Sequence, residues 1–207
     1  MTTAPATRTS RLRLRRSLDT AVRAIGVLEQ KIQVLTREQR RLRHHALDTG
    51  RQWEAAARAA DLWLQRSLVL GGNTQVALAA TLARGERAEA AVTWRSVMGV
   101  AYPTEAHVIP AKAPPLGSLV RTAALVEAAA AHRQAVVAAL DQAAAQRALD
   151  LLERELLVTR RRLRALERRW VPRLNERLTA VELALAAEEQ EDAVRTRWVA
   201  GRDGGRR

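Results

Sequence analysis

Residues 14–42 read LRRSLDTAVRAIGVLEQKIQVLTREQRRL, with a repeat at Leu14, Leu18, Ala21, Ile25, Leu28, Ile32, Leu35, Gln39 and Leu42. The steps alternate between four and three. Apolar residues every 3.5 positions draw a narrow seam down one side of a helix, and such a seam is buried only against another helix. The run holds through Ala46 and Thr49 and continues more weakly through Trp53, Ala56, Ala60, Trp63, Ser67 and Leu70. No proline lies between Arg11 and Leu70, and Gly26 and Gly50 are the only glycines before Gly71. A helix over residues 9–70 would reach about 90 Å at 1.5 Å per residue.

Gly71-Gly72-Asn73-Thr74 predicts the end of that helix, because glycine supplies a left-handed cap and Asn or Thr can start the next element. Residues 75–90 read as a shorter Ala-rich helix weakened by Gly85. Val92, Trp94, Val97, Val100 and Tyr102 are strand formers, and His107-Val108-Ile109 is a second short run of the same kind. The expected turn between the two runs is at Pro103-Thr104. Pro110, Pro114, Pro115 and Gly117 predict an irregular loop. A two-stranded hairpin is not stable alone, so this middle region must lean on the helices or on a partner.

A second long helix is expected over 122–198. Its seam runs Leu149, Leu152, Leu156, Thr159, Leu163, Leu166 and Trp170, then Leu174, Leu178, Val181 and Leu185. The consecutive fours at Trp170, Leu174 and Leu178 form a stutter, which relaxes a supercoil. Pro172 sits inside it and predicts a mild bend. The fold class is therefore all-α: a long antiparallel two-helix coiled coil of N- and C-terminal helices, with a small middle region holding a short helix and a β-hairpin. One domain spans 1–207, divided into a first helix at 9–70, a middle head at 71–121, a second helix at 122–198 and a flexible tail at 199–207. Residues 1–7, rich in Thr, Ala and Pro, read as a disordered arm.

Charge suggests the register. Arg11, Arg13, Arg15 and Arg16 open the first helix; Glu182, Glu188, Glu189, Glu191 and Asp192 lie near the end of the second. Antiparallel pairing with residue numbers summing to about 200 sets the two clusters side by side. The competing reading leaves both as solvated faces, since exposed ion pairs contribute little.

Composition agrees with a thin core. There is no Phe and a single Tyr, and the net charge is +13 with only Lys31 and Lys112 as lysines. Such a chain attracts anionic partners, whether nucleic acid, acidic lipid or acidic protein. Absence of Cys excludes disulfides and thiolate metal sites and fits the cytosol. His44, His45, His107 and His132 form no ligand cluster, and no metal or other cofactor is expected. No transmembrane span is expected, because Glu127, His132 and Arg133 interrupt the most apolar stretch. The acid-free start resembles a transit peptide in composition, yet from Leu14 onward it already keeps the heptad. There is no Gly-rich phosphate loop, no nucleophile with a base, and no carboxylate pair in a pocket, so a catalytic role is not expected.

Specific motifs bring a resemblance. Thr159-Arg160-Arg161-Arg162-Leu163-Arg164-Ala165-Leu166-Glu167, followed by Trp170-Val171-Pro172-Arg173-Leu174, resembles the T-x-R-R-V-N-A-L-E and I-P-R-L segments of the D subunit of V-type and archaeal-type rotary ATPases. Val97-Met98-Gly99-Val100-Ala101-Tyr102-Pro103 is similar to the family's V-M-G-V-x-V-P. Thr7-Arg8, Leu12, Leu14-Arg15-Arg16 and Leu18 resemble its start, and Leu28-Glu29-Gln30-Lys31 falls where the family has L-L-x-x-K. Leu163, Arg164 and Tyr102 depart from the family's usual Val, Asn and Val. The resemblance implies a non-catalytic central rotor shaft that transmits torque between a catalytic hexamer and a membrane ion-translocating ring, in ATP synthesis or ion transport. Implied partners are the catalytic and non-catalytic hexamer subunits, the small F subunit of the rotor and the socket subunit above the ring. The implied location is cytoplasmic and peripheral on the inner face of the membrane, with no direct membrane insertion and no nucleic acid bound. Candidate hexamer contacts are Arg8, Arg11, Arg15, Arg195 and Arg197. Candidate lower-stalk contacts are Val97, Met98, Gly99 and Val100.

A basic coiled coil that binds nucleic acid, or a generic scaffold, is the alternative. A basic region at the end of a zipper can enter a major groove. Here the seam starts among the basic residues themselves, and no aromatic–basic interleaving suited to single strands is present.

Overall fold

The computed structural model describes residues 7–82, 88–109 and 122–204. The Pro-rich loop expected around Pro110, Pro114, Pro115 and Gly117, the arm over 1–6, Gly85 and the last tail residues 205–207 lie outside the described residues. In chain order the elements are α1 (Arg8–Leu82), β1 (Glu89–Val97), β2 (Val100–Ile109), α2 (Ala123–Ala165), a π-helical turn (Leu166–Trp170) and α3 (Val171–Gly204). As the heptads predict, long helices stand at both ends of the chain and a small antiparallel hairpin lies between them.

Local chemistry fixes the helix boundaries. At the start of α1 the Ser10 amide donates to Thr7 Oγ1 at 3.1 Å, and the Thr7 amide donates to Ser10 Oγ at 3.0 Å. This reciprocal cap satisfies two backbone donors that the first turn would otherwise leave unpaired. Thr122 caps α2, accepting the Leu125 amide at 3.3 Å. Gly72, with φ 72° and ψ 166°, breaks α1, and helical residues follow to Leu82.

The chain forms two compact units, one of Met1–Ile32 with Leu157–Arg207 and one of Gln33–Leu156. In the first, Ala21, Thr159, Leu174 and Leu185 are buried, while Leu14, Leu18, Ile25, Leu28, Ile32, Leu163, Leu166, Leu178 and Val181 are half-buried. The antiparallel pairing is read from side chains. Arg15 meets Glu182 at 2.6 Å and Arg8 meets Glu189 at 3.4 Å. Both sums are 197, so the register sits about one helical turn from the expected sum of about 200.

In the second unit Leu35, Leu42, Ala46, Ala60, Ala145, Ala148, Leu149, Leu152 and Leu156 are buried. Polar layers interrupt this core. Gln39 Nε2 and an Arg43 guanidinium nitrogen each donate to Glu153 Oε1 at 2.9 Å, and the Thr49 hydroxyl lies 2.6 Å from Gln142 Oε1. Such layers fix one register among several that an all-apolar seam allows. The seams are corrected at three places, two on the weak continuation of the first helix and one on the seam of the second. Trp53, Leu70 and, in the first unit, Trp170 are exposed. One 18-residue window within Ala123–Trp198 reaches a mean hydropathy of 1.2, enough by length and composition alone to cross a membrane. Of that window 17% is buried within the protein, and Ala124, Ala128 and Ala131 are buried on this part of α2.

The hairpin turns elsewhere than expected. Met98 and Gly99, with φ 51° and φ 79°, form its two-residue turn. Positive φ at both central positions is the primed geometry whose twist matches paired strands. Pro103 and Thr104 lie inside β2. Pairing steps from Thr93–Glu105 to Trp94–Pro103, which leaves Thr104 as a bulge residue. The Thr104 hydroxyl donates to the Thr93 carbonyl at 3.2 Å. The bulge is what lets a proline, which lacks an N–H, sit within a strand.

Candidate functional site

In the first unit, arginines crowd the start of α1 and carboxylates the end of α3. Of the candidate hexamer contacts, Arg8 and Arg15 are engaged by Glu189 and Glu182. Arg195 reaches Glu191 at 3.8 Å and Asp192 at 3.9 Å on its own helix. Arg197 is exposed. Arg11 is half-buried, and its Nε is buried without a hydrogen-bond partner. Arg13 and Arg16 are exposed, and no ion pair among the described residues engages them. They flank an open groove of about 660 Å³ whose walls include Leu12, Ala21, Leu166 and Trp170.

The π-helical turn shapes that groove. The Val171 amide donates to the Leu166 carbonyl, a five-residue step, and the next residue, Pro172, has no amide to donate. A π-turn takes up one more residue than an α-turn and rotates the helix beyond it. Trp170 therefore leaves the seam and is 52% exposed, while Leu174 returns to it and is buried.

In the second unit the hairpin is held by β2 and offers β1 outward. Tyr102, Pro103 and Ala106 of β2 are buried, whereas β1 is exposed from Glu89 to Ser96. Tyr102 is 0% exposed, and its hydroxyl donates to Glu38 Oε1 on α1 at 2.5 Å. Arg41 donates to the same oxygen at 2.6 Å. The Arg41 hydrogen bond holds the Glu38 carboxyl below the ordinary carboxylate range, helped by Tyr102 and by the charge of Arg95 on β1 and opposed by burial. Burial, with the hydrogen bond to Glu38, pushes the Tyr102 phenol above its ordinary value. Of the candidate lower-stalk contacts, Met98 and Gly99 are exposed at the turn, and Val97 and Val100 are half-buried beside it. Trp94 of β1 is 58% exposed.

Among the described residues no group of three or more His, Cys, Asp or Glu side chains is placed to hold a metal ion. The geometry offers surface for partners: a basic, partly apolar groove in one unit and a braced hairpin in the other. Reading the sequence alone does not find the Glu38–Arg41–Tyr102 contact, since its members lie far apart in the chain. Nor does it separate Arg13 and Arg16 from Arg8 and Arg15, because that needs the register.

Residues 10–201 match the family model for the D subunit of ATP synthase. The chain is 32% identical over 206 residues to a protein named as the D subunit of a V-type ATP synthase, from Anaeromyxobacter dehalogenans, covering 95% of each chain. It is also 34% identical over 126 residues to one named as the D subunit of an A-type ATP synthase, from Methanopyrus kandleri, covering 58% of this chain and 53% of that one.

Proposed function

The chain belongs to the D-subunit family of ATP synthases, and on that premise we propose that it is the non-catalytic central rotor shaft of a V/A-type complex. It transmits torque between the catalytic hexamer and the membrane ion-translocating ring. Nucleotide chemistry takes place on the hexamer. The observation that carries this reading is the extent of the family match, which takes in both long helices and the hairpin.

The shaft's termini enter the hexamer of catalytic and non-catalytic subunits, where Arg8, Arg11, Arg15, Arg195 and Arg197 are its proposed contacts. The hairpin turn at Val97, Met98, Gly99 and Val100 meets the small F subunit of the rotor or the socket subunit above the ring. The protein is cytoplasmic and peripheral on the inner face of the membrane, and it reaches the membrane only through its partners. Two physical features support the reading. Buried seams in both units stiffen the helices, as torque transfer requires. The Tyr102–Glu38–Arg41 contact fixes the hairpin on α1, so a load on the turn reaches the helix.

The test is a reconstituted complex in which ATP hydrolysis and the ion pumping coupled to it are measured together. Replacing Val97-Met98-Gly99-Val100 with polar residues is expected to uncouple the two or release the small rotor subunit. Normal assembly, turnover and pumping without this chain would contradict the proposal.

A further inference from the structure

We propose that the groove in the first unit is a docking seat for an acidic amphipathic segment of a partner protein. The partner's carboxylates would bind Arg13 and Arg16, and its apolar side chains would cover Leu12, Leu166 and Trp170. This rests on the shaft reading, which surrounds the unit with the hexamer, and it moves the principal contacts to residues outside the arginines nominated from sequence.

Three observations converge on the seat. The first is charge. Arg8 and Arg15 are neutralised by Glu189 and Glu182, but no ion pair among the described residues engages Arg13 or Arg16. Their three-residue spacing puts both on one face of α1. A guanidinium holds a carboxylate through two parallel hydrogen bonds. The second is apolar exposure beside that charge: Leu12 and Trp170 are each 52% exposed on the groove. Apolar side chains left open beside unpaired cations offer a partner segment an apolar wall and a charge anchor together. The third is the π-turn, which takes Trp170 off the seam and delivers it to the groove. An uninterrupted α-helix would keep an indole on the heptad side.

The apolar wall favours protein over nucleic acid. A phosphate backbone is met by many cations in series, and its affinity grows with the number neutralised. Here two arginines flank a wall of Leu and Trp, which matches a segment carrying carboxylates beside apolar residues. Stacking of a single-stranded base on Trp170 is the competing occupant.

The test uses the full-length chain and the catalytic hexamer encoded with it. Binding is measured for wild type, R13E/R16E, W170A and R23E, the last on α1 outside the groove. R13E/R16E and W170A are expected to weaken binding about tenfold or more, as for buried charge and aromatic anchors. R23E is expected to stay within about threefold, as for a charge outside the contact. The melting transition of R13E/R16E should match wild type, because both side chains are exposed. A photocrosslinker at Leu12 should capture a hexamer peptide bearing Asp or Glu next to apolar residues. A wild-type chain that fails to bind the hexamer overturns the shaft reading and the seat together. A hexamer that binds wild type and R13E/R16E equally overturns the seat alone. So does a captured peptide without a carboxylate. Binding of a random-sequence single-stranded oligonucleotide at physiological salt that R13E/R16E abolishes, with hexamer binding intact, gives the groove to nucleic acid instead.

Discussion

The Tyr102 hydroxyl donates to Glu38 at 2.5 Å, joining β2 to α1 across 64 positions of sequence. A hairpin of two strands has too little core to hold itself, so this contact and the burial of the Tyr102 ring decide whether it stays folded. Tyr102→Phe keeps the ring and removes the hydroxyl. It is expected to cost about 1.5–3 kcal/mol, the range for a hydrogen bond to a charged group. Denaturant unfolding checks the cost. Hydrogen exchange should show the loss concentrated in the hairpin amides.

The same contact predicts a pH window. Glu38 titrates below its ordinary value in the folded protein, so its contribution is present above the ordinary carboxylate range and is lost as pH falls through the folded value. Tyr102 titrates above its ordinary value of 10.0. Its contribution is therefore full below that pH and is lost as pH rises through the folded value. Because the chain has one tyrosine, alkaline tyrosinate absorbance reports Tyr102 alone. The midpoint is expected above that of free tyrosine and should return to it in urea. Equal midpoints in the two conditions would remove the contact.

Packing predicts where truncation hurts. Leu35 and Leu152 are each 0% exposed in the second unit. Leu35→Ala or Leu152→Ala should each cost about 2–5 kcal/mol through lost burial and the cavity left behind. Leu47→Ala, at an exposed position of the same helix as Leu35, should stay within about 0.5 kcal/mol. Thermal or denaturant melting of the three variants gives the comparison.

Two glycines of α1 should respond with opposite sign. Gly72 holds φ 72° and ψ 166°, a region that L residues avoid. Gly72→Ala should destabilise by about 1–3 kcal/mol. Gly26 is helical, and a Cβ there meets nothing within 4 Å. Gly26→Ala should stabilise by about 0.5–1 kcal/mol. Urea midpoints of the two variants, read against wild type, decide both signs.

The sequence carried the helices because a heptad is a local, repeated signal that Leu35, Leu42, Leu152 and Leu156 obey without exception. It misplaced Trp53, Leu70 and Trp170, because period alone says which side a residue faces and not how close the partner backbone comes. Pro172 announced an irregularity, but the π-turn forms upstream of it, over Leu166–Trp170. The missing amide of proline is felt one turn earlier. Pro103 looked like the hairpin turn until its bulge is seen, whereas Met98-Gly99 takes the positive φ values that a tight turn needs. The partner surfaces were least legible. Whether an arginine is paired or free depends on the register, and the tyrosine that replaces the family's usual valine makes sense only beside Glu38.

The central claim is that this chain turns. Its most direct test fixes the soluble head of the complex to a surface by the catalytic hexamer and labels this chain on the exposed face of the hairpin. Rotation is then followed under ATP. The account predicts unidirectional stepping of the label that stops when ATP is withdrawn. A label that stays fixed relative to the hexamer while ATP is being hydrolysed would contradict it.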